Sequence, residues 1–190
     1  MPWSDIPAFV KAQLNDIEPG DNTRGSMLFA ILTGARSGEV RGATWGEFDL
    51  DAAVWTIPGT RMKAKEPHRV PLSSAALALV KRLKESKQHE SLVFLSPRGK
   101  VLSDMTLTAL LRRVKAKSDT PGRVATLHGF RSSFRDWASE NGYARDLAER
   151  ALAHTIANKV EAAYHRTDLL EARRRPMMQA SAAHVCEMAG

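Results

Sequence analysis

The chain has 190 residues, with 28 Lys+Arg against 21 Asp+Glu and 43% hydrophobic residues. That length fits one domain, and the apolar share excludes a wholly disordered chain. The net charge of +7 favours a polyanionic partner, nucleic acid first. A single cysteine, Cys186, excludes an internal disulfide and a cysteine-based zinc site, which fits a reducing compartment. No apolar run approaches the length of a membrane span, and the start, MPWSDIPAFV, carries no basic segment of a signal peptide. A soluble, cytoplasmic protein is expected.

In chain order, Ser4-Asp5 precedes a short helix to Leu14, and Pro19-Gly20-Asp21-Asn22 reads as a turn. Met27, Leu28, Ile31 and Leu32 stand at helical spacing and predict a buried helix over Thr23 to Thr33, broken at Gly34. A second short helix is predicted from Ser37 to Thr44, with Val40 inward. The period then changes. Ala53 to Pro58 and Arg69 to Leu72 read as neighbouring strands joined by a basic connection, residues 60–68. Ser73-Ser74 caps a helix over Ala75 to Glu85, and Leu92 to Leu95 reads as a short extended piece. Further helices are predicted from the Ser103-Asp104 cap to about Lys115, from Leu127 to Glu140, from Asp146 to Leu152 and from Ala157 to Tyr164, with a last segment from Asp168 that Pro176 breaks or kinks. The class is α+β, mainly α-helical, with a small antiparallel β-sheet.

Four stretches carry chemistry. In LTGARSGEV, a glycine break before a helix presents backbone N–H groups and Arg36 to one point, which suits an anion; the spacing equally fits a surface Arg36–Glu39 pair. The hairpin connection holds Lys63 and Lys65, as a loop that reaches into a DNA groove or as a solvated turn. In LHGFRSSF, His128 and Arg131 share a helix face, while Phe130, Phe134 and Trp137 supply the buried one. A phosphate-binding pair and a helix-capping His beside a surface Arg both fit. The spacing is not that of a metal motif, and no cofactor is called for. The fourth stretch joins His154 of LAHT to Tyr164 of EAAYHRTD, whose basic neighbours ease phenolate formation; an ordinary half-buried tyrosine fits as well.

Each signal alone is modest. Their order and spacing, carried by TGARSGEV, MKAKEPHRVPLS, LHGFRSSF, LAHT and EAAYHRTD, resemble the catalytic domain of the tyrosine recombinases, the phage-integrase family. WSDIPAF, RGATWGEFDLD and PHRVPLS bring the resemblance nearest to integrases of prophages and genomic islands. The resemblance implies that Arg36 and Arg131 clamp the scissile phosphate, that Lys63 (with Lys65 competing) protonates the leaving oxygen, that His128 and His154 bind the phosphate and assist proton transfer, and that Tyr164 is the nucleophile. Glu39 is then a structural acid beside Arg36. Arg61, Lys65, Arg69 and Arg135 are the DNA-contact candidates. Ala153 stands where many family members have glycine.

By the same resemblance, residues 1–168 form the catalytic domain, and 169–190 a tail helix whose Leu169, Leu170, Met177, Met178 and Val185 pack on a neighbouring subunit. Amino-terminal core-binding and arm-binding domains are expected to be absent. The implied partners are a double-stranded DNA attachment site, three further copies in a full-length tetramer, and accessory excision or DNA-bending proteins, with the isolated domain monomeric and no membrane involved. The implied activity is metal- and ATP-independent strand cleavage and rejoining through a 3′-phosphotyrosyl link, at the bacterial nucleoid. A type IB topoisomerase-like enzyme and a non-catalytic DNA-binding regulator share the fold and stay open.

Overall fold

The structure is a computed structural model that describes residues 1–86, 88–154 and 167–186, the side chains of 167–170 excepted. Tyr164 and the helix predicted over Ala157 to Tyr164 lie outside the described residues. Helices are α1 (Ile6–Gln13), α2 (Asn22–Thr33), α3 (Ser37–Arg41), α4 (Ser74–Glu85), α5 (Thr106–Arg113), α6 (Leu127–Glu140), α7 (Arg145–Ala151) and α8 (Thr167–Val185). Strands β1 (Phe48–Asp49), β2 (Val54–Ile57) and β3 (His68–Pro71) form an antiparallel sheet in the order β1-β2-β3. Among the described residues no helix is long and apolar enough to cross a membrane. The mainly helical α+β class holds.

Local chemistry explains most boundaries. The Asp21 carboxylate accepts the Arg24 N–H at 2.9 Å and starts α2, and Gly34, with φ 64°, ends it. Ser73 caps α4 by accepting from the Ala76 N–H, and Thr126 caps α6 by accepting from the Gly129 N–H at 3.0 Å. Three predicted edges differ. Neither Ser4 nor Asp5 caps α1 through its side chain; a short 3₁₀ turn, Trp3–Asp5, leads into it. α3 stops at Arg41 because the chain turns at Gly42. α5 begins only at Thr106, since the Ser103 hydroxyl is paired with that of Thr106 at 3.0 Å.

Two apolar clusters hold the elements together. The larger is centred on Phe29, whose ring meets Trp55, Phe94 and Phe48 at centroid distances of 5.2, 5.7 and 5.9 Å. The smaller joins Phe134, Trp137, Ala148, Leu152, Met177 and Met178 from α6, α7 and α8. α6 spans both, placing Phe130 in the first and Phe134 in the second. Arg131 lies between those two rings in sequence and is itself only 4% exposed.

The last helix is not broken at its proline, and apolar residues on it face this chain's own core. α8 runs through Pro176 without interruption, although proline supplies no N–H there. Packing against β3, α1, α2, α4, α6 and α7 holds it in register. Met177, Met178 and Val185 are buried in this chain's own core.

Candidate active site

The site is assembled where two helices end. α2 closes on Gly34 in the left-handed region. α7 closes with Ala153 at φ 49°: the His154 N–H bonds back to the Glu149 carbonyl at 2.9 Å, and the Ala153 N–H to that of Arg150 at 3.1 Å. This paired pattern is a Schellman ending: it takes up the Glu149 and Arg150 carbonyls, and those of Ala151, Leu152 and Ala153 are met by side chains from elsewhere in the chain. Helix C-termini carry partial negative charge and draw cations.

Arg131, from α6, bridges both ends. Its Nη1 donates to the Gly34 carbonyl, and its Nη2 donates to the Leu152 carbonyl at 2.6 Å. Nη2 also donates to His154 Nε2 at 3.1 Å. His154 Nδ1 then carries the ring proton and donates to the Glu149 carboxylate. Burial, and then the neighbouring Arg36 cation, push the Arg131 guanidinium down to about 10, so it stays charged at neutral pH.

Arg36 approaches from the other side. At the start of α3, its backbone N–H donates to Glu39 Oε2 at 2.7 Å and its Nη1 to Glu39 Oε1 at 2.8 Å. Nη2 reaches the Ala153 carbonyl at 3.3 Å. Of the two readings of the TGARSGEV stretch, the Arg36–Glu39 pair is present, with Glu39 buried rather than on the surface, and Arg36 also reaches the α7 end. Glu39 is 5% exposed.

Arg36, Arg131 and His154 thus meet at one turn. His128 sits exposed at the second position of α6, one turn before Arg131 on the same face. Arg135, exposed and one turn further on, extends that face. Lys63 and Lys65 are both exposed in the β2–β3 connection, and among the described residues neither bonds to the arginine pair. The connection is anchored at Met62, which is 4% exposed, and at Gly59: a Cβ there would lie 2.5 Å from the Lys65 carbonyl oxygen.

Two DNA-contact candidates are engaged within the fold. Arg61 turns inward, donating to the Glu39 carbonyl at 2.8 Å and pairing with Glu47 at 2.5 Å. Arg69 is exposed but pairs with Glu171 of α8 at 2.7 Å.

Two residues escaped the sequence reading. Glu149 orients His154, and its one signal is a carboxylate five residues ahead of a histidine at a helix end. His68 opens β3, and its Nε2 lies 3.3 Å from the Ala151 carbonyl. Its register partner is Ile57, as Val70's is Trp55, so strand alternation sets it on the face opposite Arg69. Burial, reinforced by the Arg174 cation, pushes this imidazole down to about 4.

The model of the phage integrase family matches residues 6–170. Prophage integrase IntA of Escherichia coli (strain K12) is 38% identical over 160 residues, covering 83% of this chain and 37% of that protein. The integrase of Enterobacteria phage P4 is 37% identical over 194 residues, covering 94% of this chain and 43% of its own length. The chain therefore spans about two fifths of the curated relatives it matches. Among solved structures, the Tn1549 transposon integrase in complex with circular intermediate DNA aligns with a TM-score of 0.64 at 14% identity, over 87% of this chain and 62% of that one; the likeness is one of fold. With the family model covering most of its length and relatives above one-third identity, this chain belongs to the phage integrase family.

Proposed function

We propose that the chain is the catalytic domain of a site-specific DNA recombinase that cleaves and rejoins strands through a 3′-phosphotyrosyl intermediate. The observation that carries this reading is the meeting of Arg36, Arg131 and His154 at the α7 end, with Arg131 buried and still charged. The Tyr164 phenol oxygen attacks the scissile phosphorus, and its proton passes to His128. Charge builds on the non-bridging oxygens, where planar guanidiniums offer paired donors. Loss of one such donor costs about 10²–10³ in rate in comparable oxyanion sites. The P–O5′ bond breaks, and the departing oxygen takes its proton from Lys63. A 5′ hydroxyl from another strand reverses the step, so the bond energy is kept and ATP is not needed.

In the full-length protein this chemistry serves integration or excision of a mobile element in the bacterial nucleoid, four protomers acting on paired attachment sites. The test is trapping on a nicked duplex, from which the short downstream fragment bearing the freed 5′ hydroxyl diffuses away after cleavage. The wild-type chain is expected to form a covalent adduct whose modified peptide contains Tyr164, and Tyr164→Phe none. Equal DNA binding by both proteins with no adduct from either would overturn the catalytic reading in favour of a DNA-binding regulator. Relaxation of supercoiled plasmid lacking any attachment site would favour the topoisomerase-like alternative.

A further inference from the structure

Three consecutive carbonyls at the end of α7 are each taken by a side chain from a different part of the chain. Ala151 is met by His68 of β3, Leu152 by Arg131 of α6 and Ala153 by Arg36 of α3. The next residue is His154. Two of these three side chains belong to the proposed phosphate clamp; His68 has no place in that chemistry. Its ring is held among charged groups, with Arg36, Arg174 and Glu39 acting on it electrostatically. A carbonyl only accepts, so Nε2 carries the proton and donates it to Ala151.

His68 is also the first residue of β3, on the returning arm of the hairpin that presents Lys63. That connection is compact. The Lys65 N–H bonds back to the Met62 carbonyl at 3.1 Å, Met62 is buried, and Gly59 lets the Lys65 backbone press against the outgoing arm. A hairpin this tightly folded moves as a piece, so what fixes its base fixes its tip. The His68–Ala151 bond ties that base to the helix end where the arginines and His154 converge.

We infer that His68 is a positioning residue that sets the Lys63 hairpin at its working distance from the arginine–histidine cluster. This deepens the recombinase reading and rests on it. His68 contacts no reacting atom; it acts through Lys63, and its loss should be felt at the step Lys63 serves, protonation of the departing 5′ oxygen.

A substrate whose scissile 5′-bridging oxygen is replaced by sulfur separates this role from a merely structural one, because a thiolate departs without protonation. The 190-residue chain, with His68→Phe, His68→Gln, Lys63→Ala and Tyr164→Phe variants, is assayed for cleavage of nicked duplexes bridged by oxygen or by sulfur. The ratio of the two rates does not depend on how much of a preparation is folded. Lys63→Ala is expected to lose about 10²-fold or more on the oxygen substrate and to recover on sulfur. His68→Phe, which has no N–H, is expected to lose roughly tenfold or more on oxygen and to approach wild type on sulfur. His68→Gln, which keeps a donor, should stay near wild type on both.

Equal losses of His68→Phe on the two substrates, or none on either, would overturn the inference while leaving the recombinase reading intact. Failure of sulfur to rescue Lys63→Ala would also overturn it, by removing the residue through which His68 acts. A wild-type chain without any Tyr164-dependent cleavage would instead overturn the recombinase reading, and the inference with it.

Discussion

Ala153 bears the strain of the turn that feeds Arg36 and His154. Its φ of 49° lies where a Cβ crowds the following carbonyl, a penalty of roughly 1–2 kcal/mol for an ordinary residue. Glycine avoids the penalty but gives the unfolded chain more freedom. Ala153→Gly is accordingly expected to raise the unfolding free energy by about 0.5–1 kcal/mol, as read by urea denaturation, with adduct formation unchanged. His68 makes a second prediction at this scale. Its folded value near 4 lies below the ordinary 6.5, so between these two the unfolded chain binds the extra proton. Stability from the neutral ring is whole above pH 6.5 and drains away as pH falls toward 4, by on the order of 2 kcal/mol. Urea midpoints at pH 7 and pH 4.5 should separate more for the wild type than for His68→Gln, and equal separations would count against the assignment.

At the scale of elements, the β2–β3 hairpin depends on one close approach. A methyl at Gly59 would sit 2.5 Å from the Lys65 oxygen, a clash with backbone that no rotamer change relieves. Gly59→Ala should lower stability by roughly 1–3 kcal/mol and slow cleavage more than binding, measured as a fall in adduct rate at saturating DNA. Elements such as α6 were legible because their signals are local: Asn141-Gly142 to stop it, and Phe130, Phe134 and Trp137 at helical spacing. What stayed hidden was non-local. β1 is two residues long and exists only by pairing with β2. Arg61 reads as a basic loop residue until Glu47, fourteen positions earlier, turns up beside it. The passage of α8 across Pro176 is decided by the six elements packed around it. In the site, the arginines and His154 were named through the family resemblance of their motifs, whereas His68 and Glu149 needed the fold to bring their partners within reach.

At the scale of the whole molecule, the net charge of +7 is not spread evenly over function. Arg61 is committed inside, whereas Lys63, Lys65, His128 and Arg135 lie on exposed ground. DNA affinity should therefore fall steeply with salt, with a log–log slope of about −0.9 for each phosphate contacted. Lys65→Ala is expected to flatten that slope by about 0.9, measured by fluorescence anisotropy across a salt series. Arg61→Ala should leave the slope alone and cost roughly 1–3 kcal/mol of stability, because it strands the buried partner groups. A flattened slope for Arg61→Ala would show that its guanidinium reaches DNA after all.

The crossing point at residues 151–153 unites segments that lie 21, 83 and 117 positions away along the chain. Contacts so distant in sequence close late, after helices and hairpins have formed on their own. A chain still emerging or half-refolded therefore owns the individual side chains but not their shared geometry. Were the proposed strand cleavage this chain's activity, that order of assembly would act as a safeguard: the capacity to cut would be acquired only together with the finished fold.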